Sequence, residues 1–160
     1  NVISLYTLVS YLLERYVVQA RHCDLSAWFI AFETERRAQR ALPEDQWDQE
    51  LLLYHEKISH STDREDSVKW RHEYLLRKLL QALPDIEQKD DQRLFTHEQR
   101  LAIYRRDGGY CRVKLTCNGE TCEWDKWEAD HVVPWSRGGK TTVGNGQVAC
   151  LACNAAKSNR

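Results

Sequence analysis

Ala129-Asp130-His131-Val132-Val133-Pro134 and Cys150-Leu151-Ala152-Cys153-Asn154-Ala155-Ala156-Lys157 decide how this 160-residue chain is read. The first stretch has alternating strand character and is stopped by Pro134, which cannot donate to a sheet ladder. Asp130 and His131 are adjacent, so on a flat strand they point to opposite faces. On a twisted or bulged strand they can flank one site. Ser136-Arg137-Gly138-Gly139-Lys140 reads as a flexible basic loop. Asn145 then precedes a short second strand, Gly146-Gln147-Val148-Ala149. Cys153 to Lys157 opens a final helix on which Asn154 and Lys157, three apart, share a face. The order is strand, loop, strand, helix: a small ββα element with cysteines at both ends.

Five of the six cysteines fall in the second part of the chain: Cys111, Cys117, Cys122, Cys150 and Cys153. Cys150 and Cys153 form a C-x-x-C pair that needs a second pair upstream. Four thiolates around zinc give a closed structural site, suited to a region with little apolar mass. Cys111 follows a Gly-Gly turn. Cys117 is followed by Asn118-Gly119, which lets the backbone turn tightly and aim amides at a thiolate. Cys122 is followed by no such residue. The expected ligands are therefore Cys111, Cys117, Cys150 and Cys153, with Cys122 the substitute for Cys117. Disulfides are the weaker reading because nothing in the sequence suggests secretion. No thioredoxin-like strand–helix pattern surrounds the C-x-x-C, which argues against a redox role.

Asp130-His131-x-x-Pro134, Gly138-Gly139, Asn145, Cys150-x-x-Cys153-Asn154 and Lys157, taken together and in this order, resemble the HNH endonuclease family in its zinc-bound form. The resemblance covers roughly residues 95–160. Asn154 stands where many members have a second His, which is similar to the HNN variant. The resemblance implies a ββα-metal nuclease domain that cleaves DNA. It implies that His131 is the general base that deprotonates a water, a role that suits imidazole near neutral pH. It implies that Asp130 and Asn154 hold a catalytic Mg²⁺ or Mn²⁺, as hard oxygen donors would. Asn145 would fix the loop and so orient the strand bearing His131. Lys157, Arg137 and Lys140 would contact backbone phosphates. The alternative is a zinc-stabilised nucleic-acid-binding module without catalysis. It has no need of a general base or an open metal site.

The remainder of the chain reads as helical. Val2–Ala20 is densely apolar and is expected as a buried helix. Ser26 is expected to cap a second helix, with Trp28, Phe29 and Phe32 on its inner side. Pro43 is expected in the first turn of a third, with Trp47, Leu51, Tyr54 and Ile58 along one face. Thr62 and Glu65 have capping-box spacing for a fourth, which buries Leu75, Leu76, Leu79 and Leu80 and ends at Pro84. Thr96 with Gln99 predicts another start, and Asp107-Gly108-Gly109 its end. Cys23 is expected to be a small buried residue. The fold expected is mainly α: a helical bundle over 1–90, then the zinc-stabilised domain over 91–160.

Charge supports that division. Residues 1–90 carry twelve Lys and Arg against sixteen Asp and Glu, and residues 91–160 eleven against eight. The excess of positive charge in the second part is small and permits nucleic-acid binding without arguing for it. The uncharged run at the start ends at Glu14, short of a bilayer span, and has no signal-peptide pattern. A cytoplasmic protein with no membrane partner is the expectation. The chain lacks Met and begins with Asn1, so a missing N-terminal domain of the same protein is expected as a partner. The run Asp90–Thr96, then Gln99-Arg100 and Ile103–Arg106, resembles the lead-in to HNH domains of large restriction and phage-defence proteins.

Overall fold

The computed structural model describes residues 2–60 and 62–157, the side chain of Arg40 excepted. The chain forms two compact units, Asn1–Ile86 and Glu87–Arg160.

The first unit is built from helices α1 (Val2–Arg15), α2 (His22–Ala38), α3 (Gln49–His60) and α4 (Glu65–Ala82). Their apolar stripes meet in a core of Leu8, Leu12, Phe32, Leu51, Tyr54, Tyr74, Leu75 and Leu79. Aromatic rings fill its centre. Phe32 meets Tyr54 edge-on at 5.3 Å, Tyr54 stacks on Tyr74 at 5.5 Å, and Trp70 also stacks on Tyr74, at 5.2 Å. Such pairs add to the area buried.

Several local expectations fail here. α1 stops at Arg15 and buries only one face, through Ser4, Leu8 and Leu12; Val2 and Tyr6 are 83% and 71% exposed. Ser26 lies inside α2, where its hydroxyl donates to the Cys23 carbonyl. That helix starts earlier, at His22, because Arg21 is anchored by Asp24 and by a two-pronged pair with Asp85. Pro43 precedes a single 3₁₀ turn, and α3 begins at Gln49, with the Asp48 carboxylate accepting from the Leu51 amide. Trp47 is therefore off the helix. The Thr62–Glu65 box does not form. The Thr62 carbonyl is instead bound by the guanidinium of the buried Arg71. Cys23 is exposed.

The second unit contains α5 (His97–Asp107), β1 (Trp127–His131), β2 (Gly146–Cys150) and α6 (Leu151–Lys157). α5 opens with the expected reciprocal box: the Gln99 amide donates to the Thr96 hydroxyl, and the Gln99 side chain accepts from the Thr96 amide. It closes on Gly108 at φ +65°, a left-handed conformation that favours glycine. β1 and β2 pair antiparallel, with Ala129 opposite Val148 and His131 opposite Gly146. The core is small: Ile103, Trp127 and Val148 share it with Cys111, Cys122 and Cys153. A core this size calls for a further staple. One comes from Asp107. Its carboxylate, almost fully buried, accepts from the Val148 amide at 2.9 Å and pairs with Arg106 at 2.8 Å, tying the end of α5 to β2.

Candidate active site and metal centre

The Sγ atoms of Cys111, Cys117, Cys150 and Cys153 all lie within 4.8 Å of one another. A tetrahedral zinc with Zn–S near 2.3 Å spaces its sulfurs about 3.8 Å apart. The Cys117–Cys153 separation is 3.6 Å. Backbone amides aim at the sulfurs: Cys150 N at Cys111 and Cys153 N at Cys150, both at 3.4 Å, and Thr116 N at Cys153 at 3.2 Å. The Thr116 hydroxyl reaches Cys153 at 3.2 Å as well. The Thr116 hydroxyl first, then its amide and the Cys150 and Cys117 thiols, hold the Cys153 thiol well below its usual value, while the neighbouring Cys150 thiol is pushed up. Charge, softness and spacing all suit zinc. Cys122 lies outside the group, buried beside the Glu120 carbonyl.

A cavity of about 620 Å³ lies in the same unit, lined in part by Asp130, His131, Asn154, Lys157, Glu128, Arg93 and Arg100. β1 delivers Asp130 and His131 to it, and α6, which begins directly after β2, delivers Asn154 and Lys157. Both neighbours on β1 reach this one cavity, the arrangement open to a twisted strand end. The His131 ring lies against Phe95, centroids 4.5 Å apart, and its Nε2 is 3.0 Å from the Thr141 hydroxyl. Burial pushes the imidazole below its usual value, so it is neutral near pH 7.

Asp130 and Asn154 offer hard oxygens on one wall, the donor chemistry that Mg²⁺ or Mn²⁺ takes. Both side chains have protein partners. Asp130 accepts from Lys157 Nζ at 2.6 Å and from Gln147 Nε2 at 2.8 Å. The Asn154 amide donates to Glu128. Lys157 also donates to the His131 carbonyl. Lys157 and Asp130 are each only 12% exposed. Lys157, expected to meet a phosphate, lines the cavity and pairs with this carboxylate.

Asn145 sits away from the cavity and clasps the loop. Its side-chain oxygen accepts from the Val133 amide at 2.9 Å, and its NH₂ donates to the carbonyls of Val133 and Lys140. Gly139 is required beneath it: a Cβ there would come within 1.8 Å of the Val133 carbonyl oxygen. Arg137 and Lys140 are exposed and outside the cavity lining. The cationic wall comes from Arg93 and Arg100, the latter lying over the Trp127 ring at 4.7 Å. Neither was singled out as a site residue by the sequence; the signal that could have found them is their place in the charged lead-in to α5. Thr141, Gln92 and Glu128 were also missed. A lone Thr, Gln or strand Glu carries no spacing signal.

Comparison with known proteins adds one positive finding. No curated protein and no solved structure matches the chain significantly. Residues 110–160, which contain all four clustered cysteines and both strands, match the family model described as HNH endonuclease. Residues 110–160 are thus similar to HNH endonuclease domains, a likeness that points toward the nuclease class of activity.

Proposed function

We propose that the C-terminal unit is a metal-dependent DNA endonuclease, with zinc as its structural ion and Mg²⁺ or Mn²⁺ as its catalytic one. One observation carries this reading: Asp130, His131 and Asn154 line a single cavity whose strands and helix are anchored by the thiol cluster. His131, neutral through burial, takes the proton of an attacking water. Asp130 and Asn154 hold the divalent ion, which when bound supplies charge stabilisation at the phosphate and leaving oxygen. Arg93 and Arg100 give the cavity the positive wall that a phosphodiester backbone needs. Asn145 keeps the loop folded so that β1 presents its end to the cavity. A role in restriction or anti-phage defence rests on the likeness of the segment before and through α5 to the lead-in of such nucleases.

The binding-module alternative draws on one contact, the ion pair between Lys157 and Asp130, which gives Asp130 a partner without any divalent ion. The two readings separate on supercoiled plasmid incubated with the chain in Mg²⁺, in Mn²⁺ and in EDTA. The nuclease reading expects relaxed or linear product with an ion and none with chelator. DNA bound but uncut in every condition would support the binding module.

A further inference from the structure

Thr141 is 3% exposed and all its polar groups are engaged. Its amide donates to Asp90 Oδ2 at 2.7 Å, and its carbonyl accepts from Gln99 Nε2 at 2.9 Å. Its hydroxyl stands between two groups: the Gln92 backbone carbonyl and His131 Nε2. A carbonyl oxygen can only accept, so the hydroxyl proton points at Gln92. Toward His131 the hydroxyl then presents only lone pairs. The partner that completes this chain is an Nε2–H. Neutral imidazole has one proton, and the hydrogen bond made by one ring nitrogen decides which nitrogen keeps it.

We infer that Thr141 is a positioning residue for His131, fixing the proton on Nε2 and leaving the lone pair on Nδ1 to accept the proton of the attacking water. This rests on the nuclease reading for its use, although the tautomer itself does not. The rest of the latch keeps the hydroxyl in register. Asp90 accepts from the Gln92 amide at 3.0 Å, which sets the carbonyl that receives the Thr141 proton. Trp135 Nε1 donates to the Asp90 carbonyl at 2.8 Å. Phe95 against the ring face limits rotation of the imidazole. The segment before α5 therefore reaches the base in two ways, directly through the Phe95 ring and, from Gln92, through the Thr141 hydroxyl.

Thr141→Val isolates that hydroxyl, because it keeps the shape of the side chain and both backbone bonds. Thr141→Ser keeps the hydroxyl and loses a methyl. The zinc-loaded chain and both variants are labelled with ¹⁵N-histidine, and the His131 ring nitrogens are read at mildly alkaline pH with no second metal added. The same proteins are assayed on supercoiled plasmid. The expected wild-type spectrum has a protonated Nε2 and a lone-pair Nδ1. In Thr141→Val a second tautomer appears and kcat falls about 10- to 100-fold, the usual effect of losing an outer partner of a site residue, with KM for DNA little changed. Thr141→Ser restores both. A wild-type proton on Nδ1 overturns the inference. So does full-speed nicking by a folded, zinc-replete Thr141→Val. If the wild type does not nick at all, the nuclease reading fails, and the tautomer spectrum still decides the role of Thr141.

Discussion

Burial lowers the His131 imidazole below its usual value; Lys157 acts in the same direction and Asp130 against it. A general base works only when neutral. Nicking should therefore hold at full rate above the usual imidazole value of about 6.5 and continue some way below it. It should be lost as pH falls through the lowered folded value. A pH profile of kcat checks this, and a midpoint above 6.5 would contradict it. The second prediction at this scale concerns Lys157, whose ammonium competes with any divalent ion for Asp130. Lys157→Ala should tighten Mn²⁺ binding several-fold, as seen by titration of the zinc-loaded chain. Unchanged or weaker binding would mean that the ion pair is not a competitor. Residue types and spacing singled out His131, Asp130 and Asn154, which line one cavity, and the four cysteines that cluster. The pairing of Lys157 was not legible, because it depends on how α6 lies against β1.

At the scale of elements, Asp107 joins the end of α5 to β2. Its carboxyl is held below the ordinary range: burial opposes the charge, but Arg106 and the Val148 amide outweigh it. A depressed folded value contributes stability that is present above the unfolded carboxylate range and lost as pH falls through the folded value. Asp107→Ala should cost about 1–3 kcal/mol, since it leaves the buried Val148 amide without its acceptor while the exposed Arg106 returns to water. Chemical denaturation of the zinc-loaded chain measures this, and a loss under about 1 kcal/mol would show the tie to be idle. Caps were legible where they were local. Thr96 and Gln99 satisfy each other within one turn, and the distant contact of Gln99, its NH₂ on the Thr141 carbonyl, leaves that box intact. Ser26 and Thr62–Glu65 carried the same kind of signal and failed, because Arg21 with Asp85 and Arg71 with the Thr62 carbonyl set those segments from afar.

At the scale of the whole molecule, the two units differ in what holds them together. The first has an aromatic and aliphatic core supplied by four helices. Among the described residues, the second fully buries three large apolar side chains with cysteines, and Phe95, Tyr104, Val113 and Val143 pack on them half-buried. Structural zinc contributes about 10 kcal/mol or more to small domains. Stripping the metal with a strong chelator should therefore unfold the second unit and leave the helices of the first. Far-UV circular dichroism would record a partial loss, and a thermal melt would keep one transition. Retention of the full spectrum and both transitions would refute a structural role for the cluster. Composition made this contrast legible, since the cysteines and the charge balance both change along the chain. The cationic wall was not legible. Arg93 and Arg100 come from before and within α5, and no spacing rule brings them to His131. Among the described residues no helix is long and apolar enough to cross a membrane.

The most direct measurement sets wild type beside His131→Ala on supercoiled plasmid in Mn²⁺, with zinc content and DNA affinity matched. The account predicts metal-dependent nicking by wild type and a rate about 10²- to 10⁴-fold lower in the variant, the usual cost of losing a general base. Equal rates in the two proteins would contradict it.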